Sequence, residues 1–71
     1  MNDRSPPAKA LAPWKILIAD DDQDMHAATR MALRGIRFRG RGLEFVDAYS
    51  GAETLAVLQQ HPDTALVFLD V

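Results

Sequence analysis

Cysteine is absent from this 71-residue chain, which excludes the disulfide framework that staples many short secreted domains. Long apolar runs are absent as well. None approaches the roughly 18 residues needed to cross a bilayer, and the N-terminus lacks the continuous apolar core of a signal peptide. The expectation is a soluble chain in a reducing cytoplasm, without a membrane partner. An excess of charge of one sign is missing too: 8 basic against 10 acidic residues leave a formal net charge of -2, so composition makes no global case for nucleic acid. At this length a chain buries only about 60% of its unfolded surface, so one small core is the most it supports.

What is present is a short apolar run, Ile16-Leu17-Ile18-Ala19, that ends abruptly in Asp20, Asp21 and Asp22. Four apolar residues bounded by a charge cluster fit a short buried strand, with the acids at its C-terminal end. A second run, Ala65 to Leu69, also ends in an acid, Asp70. If the two runs form parallel neighbouring strands, their terminal carboxylates lie side by side.

Around these runs the punctuation is regular. Residues 1–13 carry Pro6, Pro7 and Pro13 without periodicity and read as a flexible leader. Trp14 reads as a packing residue at the sheet margin. Met25, Ala28, Thr29, Ala32 and Leu33 recur at helical spacing and predict one apolar helix face, with Asp22 as N-cap, Asp24 in the first turn and Gly35 as the stop. His26 and His61 read as a surface or cap-adjacent residue and a helix-end residue. Leu43 to Tyr49 predicts a second strand, and Ser50-Gly51-Ala52-Glu53 is a capping box opening a helix anchored by Leu55 and Leu58. Pro62 disfavours helical dihedrals at His61.

The resulting order is βαβαβ. Parallel pairing and right-handed crossovers then follow, with ligands expected outside the C-terminal strand ends where the strand order reverses. Carboxylates gathered there repel one another, and a hard divalent cation relieves the repulsion. Mg²⁺ takes one or two carboxylates plus waters and phosphate oxygens, which suits an open site. Phosphoryl transfer to a carboxylate nucleophile is compatible with such a site.

Rival motifs fail letter by letter. Asp20 to Asp24 imitates the start of a Ca²⁺-binding EF-hand loop, but Met25 stands where glycine is required and Met31 where glutamate closes the cage. Gly35 and Gly40 have P-loop spacing, but Arg41-Gly42 replaces Lys followed by Ser or Thr. Residues 34–42 read as a mobile basic loop with arginines at positions 34, 37, 39 and 41. One reading packs Ile36 and Phe38 inward; the other lets the arginines meet phosphates while Phe38 stacks on a base.

Lys15 to Asp22, Ser50 to Glu53 and Val67 to Val71 together resemble the receiver domain of two-component response regulators. The resemblance runs from Lys15 to the last residue. It implies the N-terminal βαβαβ portion of a doubly wound, flavodoxin-like α/β domain over residues 14–71, comprising three strands and two helices. It also implies that Asp70 accepts a phosphoryl group from a histidine kinase or phosphotransfer protein, that Asp21 binds Mg²⁺ directly and that Asp20 supports it through water. Asp20, Asp21 and Asp70 are then the metal site of a phosphorylation switch that controls an output module; this chain is not itself an enzyme and, lacking the half that reads the phosphate, is expected not to switch alone. The basic loop and the proline-containing leader resemble receivers placed ahead of large output modules such as cyclic-dinucleotide phosphodiesterases.

Receivers continue through two further strands that carry a Ser or Thr and a Lys reading the phosphate. The sequence is therefore expected to be a fragment whose strand at 65–71 forms an open, association-prone edge. The alternative is a small interaction or nucleic-acid-binding module using Arg34, Arg37, Arg39 and Arg41. A third possibility is a chain that serves to complete or dimerise with another through the 65–71 edge.

Overall fold

The computed structural model describes residues 12–69. The expected leader falls outside the described residues except for its last two positions, and Asp70 falls outside as well. The described chain runs β1 (Trp14–Ala19), α1 (Gln23–Leu33), β2 (Leu43–Ala48), α2 (Gly51–Gln60) and β3 (Thr64–Leu69). This is the α/β order expected from the sequence.

All three strands are parallel, in the order β2-β1-β3. That order is compatible with the N-terminal portion of a flavodoxin-like doubly wound sheet, because the chain leaves β1 in one direction and then crosses it to pair on the other side. Ala19 lies opposite Ala48 on one side and Leu69 on the other, so the C-terminal ends of the strands share one edge of the sheet. A register irregularity between Lys15 and Ile16 shifts the opposite end of the β1–β3 pairing.

Side chains alternate across a strand, so Ile16, Ile18, Phe45, Asp47, Leu66 and Phe68 share a face. Helix α1 lies on this side, its Arg30 reaching Asp47. Helix α2 packs on β2, and its C-cap His61 meets Lys15, whose side chain alternates to the other face. Lys15 Nζ donates to His61 Nδ1 at 2.9 Å and to Asp63 Oδ1 at 3.1 Å. These contacts tie the start of β1 to the turn that leads into β3.

The core belongs to the central strand. Ile16, Leu17, Ile18 and Ala19 are buried, with Ala48 from β2. Strand β3 has similar composition but the opposite fate: Leu66, Val67, Phe68 and Leu69 are all exposed. The two apolar runs are therefore not equivalent. Strand β1 is flanked on both edges and covered by helices, whereas β3 is an edge strand of the described sheet.

The same asymmetry moves the helix faces. In α1 the predicted stripe leaves Met25 exposed, and the residues turned inward are His26, Thr29, Arg30 and Leu33. The packed face is rotated by one position toward β2, because His26 and Arg30 bond Asp47 there. In α2, Leu58 is partly covered as expected, but Leu55 projects to solvent; the covered stripe is Thr54, Val57 and Leu58.

The helix ends follow the sequence closely. Asp22 Oδ1 accepts from the Asp24 amide at 2.9 Å, and Ser50 Oγ accepts from the Glu53 amide at 3.1 Å. Glu53 returns a bond to the Tyr49 amide, one residue before the usual capping-box target. Gly35 adopts a positive φ of 82° just past α1, a conformation glycine takes without steric cost.

Leu17 is fully buried, so Leu17→Ala is expected to lower the unfolding free energy by about 2–5 kcal/mol. That is a large share of a small domain's stability. The exposed Leu55→Ala should change it by less than about 0.5 kcal/mol. Urea denaturation followed by circular dichroism reads both.

Candidate functional site

Strand β1 ends at Ala19, but its ladder continues one step further: the Asp20 amide donates to the Ala48 carbonyl at 3.1 Å. The chain then turns sharply into α1. Asp20 is buried, and its Oδ1 accepts from the Asp22 amide at 2.8 Å. Asp22 repeats the arrangement as helix cap, and Asp21 between them is exposed. Both Asp20 and Asp21 line an open cleft of about 370 Å³, whose other walls are formed by Tyr49, Ser50, Gly51, Thr54 and Leu69. The sheet edge that gathers the strand ends therefore carries a polar cleft with two carboxylates.

A charge network centred on one buried histidine lies beside it. His26 on α1 is 1% exposed, and both of its ring nitrogens face acceptors: Nδ1 meets Asp47 Oδ1 at 2.6 Å, and Nε2 meets the Asp20 carbonyl at 2.8 Å. A carboxylate and a carbonyl can only accept here, so the ring donates from both nitrogens as an imidazolium. Arg30, one helical turn on, binds both oxygens of the same Asp47 at 2.9 and 2.6 Å. The Tyr49 ring stacks on the imidazole with centroids 4.2 Å apart.

The protonation equilibria follow from this geometry. Burial opposes charge on His26, but the bonds to the Asp20 carbonyl and Asp47 carboxylate outweigh it and hold its pKa above the ordinary 6.5. Burial likewise opposes charge on Asp47, yet Arg30 and His26 hold its carboxyl below the ordinary 3.8. The expected surface role of His26 is therefore replaced by a fully buried one. The signal was present as an acid inside a strand, with a histidine and an arginine four residues apart on the preceding helix.

The donor set can be tested for Mg²⁺. Asp20 and Asp21 offer hard oxygens to an open cleft, and among the described residues one Asp20 oxygen is held by the Asp22 amide. Such a partial set fits an ion that keeps most of its waters. Among the described residues no three His, Cys, Asp or Glu side chains come together as a metal-holding group. The third predicted ligand, Asp70, follows Leu69 in sequence and lies outside the described residues.

Residues 34–42 form a bounded turn. Phe38 and Arg41 exchange both backbone hydrogen bonds, at 2.8 and 3.0 Å, across Arg39 and Gly40, which have φ of 54° and 76°. Two consecutive positive φ values mark the primed hairpin turn. The Arg41 guanidinium lies 3.5 Å from the Trp14 ring centroid and Arg39 lies 5.3 Å from that of Phe38. Arg37 donates to the Gly40 carbonyl, and the Trp14 indole to the Phe38 carbonyl. Phe38 is 56% exposed and not packed inward, but the aromatic faces a nucleic-acid base would stack on already carry arginines. Arg34 is exposed outside this cluster. The four arginines lie around the turn that follows α1, away from the acid cleft.

Comparison with known proteins finds a relative of this sequence. Over 59 residues, 83% of the chain, the sequence is 44% identical to the 3'3'-cGAMP-specific phosphodiesterase 2 of Vibrio cholerae serotype O1. The chain spans 11% of that protein's length. It is thus related to a segment of a much longer protein. No protein-family model matches the chain, and no solved structure does. Among the described residues, no helix is long and apolar enough to cross a membrane.

The network sets opposite pH limits on stability. The contribution of His26 is complete below its ordinary value of 6.5 and is lost as pH rises through the raised folded value. That of Asp47 is complete above 3.8 and is lost as pH falls through the lowered folded value. Urea midpoints measured across pH are expected to fall on both sides of this window, and Asp47→Asn should flatten the alkaline fall.

Proposed function

We propose that the chain is the N-terminal part of a response-regulator receiver domain that takes a phosphoryl group on Asp70. One observation carries this reading: the order β2-β1-β3 brings the end of β3 beside the acid pair that terminates β1, with Ala19 opposite Leu69. Kinship with a segment of a long phosphodiesterase supports a signalling input joined to an output module. The same kinship supports an output of the cyclic-dinucleotide phosphodiesterase class, and in this reading the segment regulates and does not hydrolyse.

In this reading Asp20 and Asp21, with Asp70, hold Mg²⁺. When bound, the ion offsets the crowded negative charge of the carboxylates and of the incoming phosphoryl oxygens. The donor is a phosphohistidine on a kinase or phosphotransfer protein. A carboxylate oxygen of Asp70 attacks phosphorus as the N–P bond breaks, giving an acyl phosphate and returning the electron pair to the imidazole. Asp20, held at Oδ1 by the Asp22 amide, lines the cleft. Asp21 stands at the solvent side, where waters reach it. Ser50 and Thr54 line the opposite wall, although the Thr54 hydroxyl is already donated to the Ser50 carbonyl at 2.8 Å.

The exposed β3 edge belongs to the same reading. Its apolar side chains are exposed and, among the described strands, it pairs only with β1, which makes it a pairing surface either for further strands or for a second copy of the chain.

Asp70→Asn keeps the side-chain shape and removes the nucleophile, so it is expected to abolish phosphate uptake from a phosphorylated kinase or phosphotransfer partner. Asp21→Asn should reduce uptake mainly at low Mg²⁺ and recover as Mg²⁺ is raised. Radiolabel transfer followed by peptide mapping measures both. Equal labelling of the parent and Asp70→Asn refutes the assignment.

A further inference from the structure

We propose that His26 is a positioning residue for the acid pair: its Nε2–H bond to the Asp20 carbonyl fixes the peptide joining Asp20 to Asp21 and so sets how both carboxylates enter the cleft. This rests on the reading of Asp20 and Asp21 as Mg²⁺ ligands. The carbonyl that His26 holds belongs to the one peptide plane shared by the two acids, and rotating that plane swings Asp20 and Asp21 relative to each other. On the other side of the turn the Asp22 amide holds Asp20 Oδ1 at 2.8 Å. The acid turn is thereby pinned at two points.

The ring that does this has no freedom of its own. It is 1% exposed, stacked at 4.2 Å against Tyr49, and held at Nδ1 by an Asp47 that Arg30 grips with two bonds. The position of the acid turn at the end of β1 is thus dictated by β2, through α1. Hydrogen-bonding partners behind metal-ligating carboxylates have large effects on affinity, because they hold ligands at the correct angle.

Two substitutions separate positioning from packing. In His26→Gln the amide nitrogen takes the place of Nε2 and keeps the bond to Asp20. In His26→Asn it takes the place of Nδ1 and keeps the bond to Asp47. Both lose the ring and its stacking on Tyr49, so a residue that only fills the core would be penalised similarly in each. All chains are measured with a stabilising osmolyte, so that unfolding does not mask the comparison.

The probe is Mn²⁺, with the free ion read by electron paramagnetic resonance. His26→Gln is expected to bind within about threefold of the parent, and His26→Asn about tenfold or more weakly. Equal affinity in the two variants overturns the proposal. If the parent binds no Mn²⁺, the metal reading falls, and hydrogen exchange of the Asp22 amide in the metal-free chain decides the positioning role. Faster exchange in His26→Asn than in His26→Gln then upholds it, and equal rates overturn it.

Discussion

A single buried imidazolium connects the parts of this molecule. His26 donates to the carbonyl at the end of β1 and to a carboxylate in the middle of β2. The helix that carries it also supplies Arg30 to the same carboxylate. Isolated charges are costly to bury, and removing one partner leaves the others uncompensated. Here a cation on each side of Asp47 makes the group collectively tolerable. Since the network joins β1, α1 and β2, it ties the rotation of α1 to the acid turn.

That constraint explains why burial is so uneven. Strand β1 is central, flanked on both edges, and supplies four of the five buried apolar residues among those described. Helix α1 turns its polar pair toward β2, leaving Met25 in the open cleft between the helix and β3. A larger apolar cleft of about 450 Å³ runs along the same side between Trp14, Leu33, Ile36, Leu66 and Phe68. The chain thus keeps a well-defined acid edge on a sheet whose β3 side remains apolar and open.

Much of this was legible in the sequence. Short apolar runs closed by acids predicted the strands, and Asp22, Ser50 and Gly35 predicted the helix ends, because these signals act within a few residues. The convergence of the β1 acids with the end of β3 was expected only if the two apolar runs were parallel neighbours, an adjacency that βαβαβ order allows and that the order β2-β1-β3 supplies. The faces of the helices were less legible, since Leu55 and Met25 carry the right periodicity but the partners that decide rotation are elsewhere in the chain. His26 was missed because its role depends on Asp47, 21 residues away, and a lone histidine beside acids reads locally as a cap residue. The turn at Arg39-Gly40 was missed because arginine seldom adopts positive φ and the usual Asn-Gly signal is absent. The approach of Arg41 to Trp14 is likewise a contact between distant segments, invisible to spacing.

The most direct test of the account is the protonation of His26 itself. Nitrogen-15 NMR of the histidine side chains at pH 6, below the ordinary value of 6.5, reports whether each ring nitrogen carries a hydrogen. Both His26 nitrogens are expected to be protonated, with cross-peaks that collapse to a single-donor ring in Asp47→Asn. A His26 ring with one bare nitrogen at that pH would contradict the imidazolium bridge and, with it, the proposed anchoring of the acid turn.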